Sequence, residues 1–334
     1  MEKIYPDGKR YPEGEIFPVE KIFPLNIREA LHAASWQEGS EEIRIRIGQP
    51  VEFLYGTGSR YLVMKNGTCS FCDVREAENA EEYLYRVRAA DIAEMLNYIS
   101  NYSLYAYREE VKQGFITIQG GHRIGIAGTA AVEGGKIAGM SHITFLNIRI
   151  AHERTGCADK LLPFLFRGRN LCSTLLISAP GAGKTTYLRD SIRALSEGTR
   201  DMPGMRVCVV DERSEIAACH RGVPQNDLGP RTDVLDGCPK AEGMLLMLRA
   251  MSPQVIAVDE LGTEKDFMAV EQAACSGSRI LGTVHAGEIG ELTGKPHMRR
   301  WMGNRIFERY VLIRRQENGE RRFEIFDEAL EQLC

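Results

Sequence analysis

The 334-residue sequence contains no apolar run long enough to span a bilayer, and its start, Met1–Arg10, lacks the apolar core of a secretory signal. Both absences lead us to expect a cytoplasmic protein. No internal repeat or biased composition is evident, and contents of 43% hydrophobic and 26% charged residues exclude collagen-like, coiled-coil and disordered classes. Basic excess is also missing. A net charge of −4 argues against bulk attraction to nucleic acid or acidic lipid, so no nucleic-acid partner is expected. The local crowding of Lys295, Arg299, Arg300, Arg305, Arg309, Arg314 and Arg315 reads as a solvated face or a subunit contact. The nine cysteines form no disulfide framework and read as reduced thiols, mostly buried. Cys69 and Cys72 are the one close pair; a zinc site needs two more ligands, and no second pair follows.

What is present divides the chain into two patterns. Residues 1–155 mix alternating stretches with one helical stretch, the pattern of a smaller α+β domain. In Glu41–Gly48, Ile43, Ile45 and Ile47 fall on one face and Arg44 and Arg46 on the other, as in a half-buried strand. Asn66-Gly67 marks a turn. Ile92, Met95, Leu96 and Ile99 have helical spacing, and Phe115–Ile118, Gly120-Gly121 and His122–Ile126 read as a hairpin. Over residues 156–334, apolar strands alternate with helices, which predicts an α/β domain with a mostly parallel sheet. Leu175–Ile177, Val207–Val210, Val255–Val258 and Ile280–Thr283 are the candidate strands, and Leu245, Leu248 and Met251 are expected to face the core. Asn318-Gly319 signals a terminal hairpin.

The chemistry concentrates in the second pattern. A triphosphate binds where backbone N–H groups converge at a helix N-terminus, which demands small residues in a loop after a strand. Ser178, Ala179, Pro180, Gly181, Ala182, Gly183, Lys184, Thr185 and Thr186 supply such a loop, with Ser178 where the usual pattern has glycine. Lys184 can reach the β- and γ-phosphates, and Thr185 can offer its hydroxyl to Mg²⁺. ATP with Mg²⁺ is therefore the expected ligand. Asp259 and Glu260 end a neighbouring strand, the first suited to holding Mg²⁺ through water and the second to polarising the attacking water. A second pair, Asp211 and Glu212, ends another strand on the same edge, with Glu212 as helper or alternative to Glu260 as the base and with helix or loop capping as the other reading of the pair. His285 either reports the γ-phosphate state or is a satisfied polar residue.

Taken together, Ser178–Thr186, Val210–Ile216, Arg231–Gly243, Met251–Pro253, Val255–Leu261 and Thr283–Ala286 resemble the stage III sporulation protein AA family, near the type II and type IV secretion ATPases. The resemblance continues through Ile43–Pro50, Gln113–Ile118, Gly120–Arg123 and Leu146–Ile150, and so covers most of the chain. It implies a RecA-like P-loop ATPase domain behind the N-terminal domain, assembled as a homo-oligomeric ring, a hexamer. It also implies a place in the mother cell during endospore formation, peripheral to a membrane complex that includes channel proteins such as stage III sporulation protein AB. The family's acidic boxes map onto Asp211-Glu212 and Asp259-Glu260, and its histidine box onto His285. Ring ATPases complete the site with an arginine, for which Arg123 and Arg149 are the candidates, with exposed or salt-bridged arginine as the alternative. Arg213 and Arg231 rank behind them, as loop or interface residues. A nucleotide-gated scaffold and a nucleic-acid translocase are the rival readings.

Overall fold

The computed structural model describes residues 3–4, 10–11, 19–33, 36, 39–56, 58–65, 68–101, 103, 107–152, 154–199, 202–294, 296–316 and 320–334. The turn dipeptides Asn66-Gly67 and Asn318-Gly319, and Lys295 of the basic cluster, lie outside the described residues. The chain divides into two compact units, Met1–Glu153 and Arg154–Cys334.

In the first unit, alternating side chains build an antiparallel sheet of seven strands. Their spatial order is Thr68–Asp73, Gly58–Lys65, Glu52–Tyr55, Ser40–Arg46, Lys136–Arg149, Arg123–Glu133 and Phe115–Thr117. Ile43 and Ile45 are buried while Arg44 is exposed, which fixes the register, because a one-residue slip would turn the isoleucines to solvent. Ile47 departs from the expected pattern: the strand ends at Arg46, the chain turns through Gly48 at φ +77°, and Ile47 is left 38% exposed. The helix Ala89–Ile99 buries Ile92, Met95, Leu96 and Ile99 in the same core. Phe115–Thr117 pairs antiparallel with the strand beginning at Arg123, as the hairpin pattern predicts. That strand and Lys136–Arg149 extend well past the core as a long two-stranded ribbon that was not anticipated.

The second unit is a three-layer α/β structure. Its sheet runs Thr232–Asp236, Val207–Asp211, Val255–Val258, Arg279–His285, Thr174–Ser178, Arg309–Arg315 and Arg321–Asp327; the first six are mutually parallel and the last is antiparallel. Each expected strand is present. Thr174–Ser178, Val207–Asp211 and Val255–Val258 are buried along their whole length, because both sheet faces are covered. On one face Leu175, Ile177, Val210 and Val258 meet the helices Lys240–Met251 and Glu264–Cys275. On the other, Leu176, Val209 and Ala257 meet Leu188, Ile192 and Leu195 of the helix Lys184–Glu197. Burying each such aliphatic side chain stabilises by roughly 1.5–3 kcal/mol before entropy is counted.

Two expectations hold only in part. In Lys240–Met251, Leu245 and Leu248 pack half-buried against the core as expected, but Met251 is 41% exposed and the most buried positions are Gly243, Met244 and Met247, since the helix sets Gly243 against Val210. There a Cβ would lie 2.4 Å from the valine methyl, so a larger residue would push the helix off the sheet. All nine cysteines are free, but only Cys172, Cys208 and Cys219 are buried, and Cys275 and Cys334 are exposed.

Candidate nucleotide site

Parallel strands place their carboxyl ends on one edge, where open α/β sheets bind ligands. The six parallel strands of this unit all end on that edge. Ser178 closes the strand that precedes the glycine loop, lies in register with His285 and accepts the Ala286 N–H at 3.2 Å. It is buried, with φ on the ordinary negative side, so the turn begins one residue later and glycine is not required at this position. Ala179 and Pro180 follow as exposed residues. Gly181 and Gly183 adopt φ of +74° and +102°, which L side chains rarely do, and Gly183 caps the helix Lys184–Glu197. The loop thus delivers backbone N–H groups at the start of a 14-residue helix. Arg321 Nε donates to the Ala182 carbonyl at 2.8 Å and ties the last strand to the loop, a contact that sequence spacing did not signal.

Lys184 is buried, and its ammonium lies 3.5 Å from Glu260 Oε1 and 3.0 Å from His285 Nε2. The same ring nitrogen lies 2.8 Å from Glu260 Oε1. One nitrogen serves one partner at a time: protonated it donates to Glu260, unprotonated it accepts from Lys184. The other Glu260 oxygen accepts from Arg213 Nη1 at 2.6 Å. Burial pushes the Glu260 pKa up, but the His285 hydrogen bond and the charges of Lys184 and Arg213 outweigh it and hold the carboxyl below its usual range. Glu260 sits at φ +54°, a conformation costing on the order of 1–3 kcal/mol for a non-glycine residue and concentrated at functional sites. Thr283 stabilises it, since its hydroxyl accepts the Glu260 N–H at 2.8 Å and its carbonyl the Leu261 N–H at 2.9 Å.

Beside this network the Thr185 hydroxyl donates to Asp259 Oδ2 at 2.7 Å, and Thr283 Oγ1 is bonded to Asp259 Oδ1. A hydroxyl and a carboxylate side by side are hard oxygen donors. They fit Mg²⁺, which takes one or two protein groups and completes its shell with phosphate oxygens and water. Thr186 follows in the helix, where its carbonyl lies 3.9 Å from Cys157 Sγ.

The second acidic pair behaves differently from the first. Asp211 is buried and spends both oxygens on its own loop, Oδ1 accepting from the Glu215 N–H and Oδ2 from those of Ile216 and Ala217. Burial, the largest influence, raises its pKa to about 6 against the pull of these donors, and nearby Asp236 adds to the rise. Glu212 is tied to Lys240, away from Glu260. Arg231 has a loop role, with Nη1 capping the end of the Lys184–Glu197 helix through the Ser196 and Glu197 carbonyls at 2.9 and 3.3 Å. Arg123 and Arg149 belong to the first unit, where they face each other across neighbouring strands. Arg149 Nε is 3.3 Å from Glu42 Oε1, and the Arg123 guanidinium lies 3.8 Å over the Phe115 ring.

The family model for sporulation stage III, protein AA matches residues 17–333 of this chain. The chain belongs to the stage III sporulation protein AA family. The family's Bacillus subtilis protein of that name is 40% identical over 287 residues, covering 86% of each chain. Among solved structures, the Legionella pneumophila ATPase DotB is similar over 95% of this chain and 83% of its own, with a TM-score of 0.56 at 16% identity. The pilus retraction motor PilT with bound ADP is similar over 92% and 82%, with a TM-score of 0.51 at 15% identity. The chain therefore shares its fold with the ATPase DotB and the pilus retraction motor PilT. Among the described residues, no helix is long and apolar enough to cross a membrane.

Proposed function

We propose that this chain is an ATP-hydrolysing, secretion-ATPase-like motor of endospore formation. One observation carries the reading: Lys184, Thr185, Asp259, Glu260 and His285 converge by hydrogen bonds at the carboxyl edge of a parallel sheet, directly after a glycine loop. Lys184 and the loop N–H groups hold the phosphates of ATP, and Thr185 and Asp259 would hold Mg²⁺, which when bound would supply positive charge to offset that of the transferred phosphoryl group. Glu260 orients the attacking water and takes its proton. His285 shares Lys184 and Glu260 and so senses whether Lys184 has moved to a phosphate.

The protein works as a ring, a hexamer, in which Arg123 or Arg149 approaches the γ-phosphate of a neighbouring subunit. It acts in the mother cell, at the cytoplasmic face of a channel complex containing membrane proteins such as stage III sporulation protein AB. Family membership supports the sporulation role, and the likeness to DotB and PilT supports a motor.

The test combines nucleotide binding, turnover and mass in solution with and without ATP. The Lys184→Ala variant is expected to lose binding. Glu260→Gln is expected to retain ATP while turnover falls about 10²- to 10⁴-fold, the usual contribution of a general base. Wild-type turnover no greater than that of Lys184→Ala, in every assembly state, would replace the motor by a nucleotide-gated scaffold.

A further inference from the structure

Arg213 lies 47 residues from Glu260 in sequence yet makes the closest charged contact to its carboxylate, 2.6 Å to Oε2. With Lys184 and His285 near Oε1, each oxygen of the candidate base already faces a cationic or hydrogen-bonding partner, which weakens it as an acceptor of a proton from water. The backbone around Arg213 is tied down by hydrogen bonds. Asp211 accepts three N–H groups from residues 215–217, and Ser214 Oγ accepts the Cys219 N–H at 3.1 Å. Arg189, on the helix that begins at Lys184, donates to the carbonyls of Glu215 and Ile216, each at 2.7 Å. The root of Arg213 is thereby bolted to the glycine-loop helix, while its side chain is 64% exposed. A fixed root and a solvated guanidinium allow the head to exchange one anion for another without moving the loop. Guanidinium groups bind carboxylate and phosphate oxygens alike through paired N–H donors.

We propose that Arg213 is a positioning residue that distinguishes ATP from ADP. It holds Glu260 when no terminal phosphate is present, and turns to the γ-phosphate of a bound triphosphate, leaving Glu260 free to orient water. The inference rests on the nucleotide site proposed above, but it concerns discrimination between nucleotides and not hydrolysis itself. An exposed ion pair without this role would contribute little and would not distinguish the two ligands.

The experiment measures equilibrium affinities of the full chain, with Mg²⁺, for ADP and for a non-hydrolysable ATP analogue, in wild type, Arg213→Gln and Arg213→Lys. Loss of one charge-assisted contact predicts an analogue affinity about tenfold lower in Arg213→Gln. ADP affinity should hold or tighten, and Arg213→Lys should recover part of the loss. In turnover, KM for ATP should rise more than kcat falls. Equal changes for both nucleotides, or no change for either, would overturn the proposal. If wild type binds nucleotide without hydrolysing it, the motor reading fails alone, and the ratio of the two affinities still decides the role of Arg213. If it binds neither nucleotide, both ideas fall.

Discussion

The two sheets of this protein bury their strands in opposite ways, and the difference explains where chemistry can sit. In the first unit, Ser40–Arg46 alternates between buried and open positions, so a charged side chain can occupy any outward point along a strand. In the second, Val207–Asp211 and Val255–Val258 are buried throughout, and polar groups meet solvent only where the strand stops. Asp259 and Glu260 therefore cluster past a strand end, next to His285, which closes another. Arg123 and Arg149, by contrast, lie in a row with Glu42 across three antiparallel strands. The parallel sheet focuses its reactive groups at one edge, and the antiparallel sheet spreads them over a face.

The largest expected effect tests whether that division is one of function as well as form. Ile148 is fully buried between Ile43 and Ile124, and Ile148→Ala should cost ~2–5 kcal/mol in urea unfolding while nucleotide affinity stays unchanged. A parallel loss of affinity would break the comparison.

The next effect comes from Asp211, whose position at a buried strand end is the opposite of an exposed carboxylate. Its pKa is raised from 3.8 to about 6, so between those values the folded protein holds the proton more tightly than the unfolded chain. Its contribution to stability is thus present at pH 4 and lost as pH rises through about 6, a change on the order of 3 kcal/mol. Relative to Asp211→Asn, which cannot titrate, wild type should lose stability by about that amount between pH 4 and 7 in urea melts. A flat difference would show that the loop N–H groups, and not burial, govern this carboxyl. The smallest effect belongs to the solvated face of the first unit. Removing the Arg149 partner by Glu42→Ala should change stability by less than about 1 kcal/mol, because Arg149 is 66% exposed. A larger cost would mean that the arginine row is held as a unit.

Much of this was readable in the sequence where residues repeat a simple period or stand next to each other. The glycine loop, the strands of continuous aliphatics and the helix Ala89–Ile99 all belong to that class. Thr232–Asp236 was missed because it is a half-buried edge strand whose apolar residues do not form a run. In Lys240–Met251 the spacing points Leu245 and Leu248 to the core correctly but not Met251, because methionine and leucine alternate around the helix and the close packing of Gly243 sets which of them is most buried. Within the site, the neighbours Asp259 and Glu260 were legible as a pair, whereas Arg213 was ranked low because its contact with Glu260 depends on how two distant strands end. Asp211 and Glu212 look alike as letters. Only burial shows that one braces a loop and the other joins Lys240.

The long ribbon of the first unit carries a consequence in time rather than in energy alone. Its inner rungs are locked by the buried residues Ile124, Ile126, Leu146 and Ile148, while residues 127–137 are exposed around the Gly134-Gly135 turn. At Gly128 a Cβ would meet the carbonyls of Ser141 and His142 at 2.6 Å, so the ladder bends there without a side chain to brace it. Outer amides rely on the ladder alone, and their hydrogens should exchange with solvent by brief local opening long before the inner ones do. A single pair of strands thus spans a fast clock and a slow one.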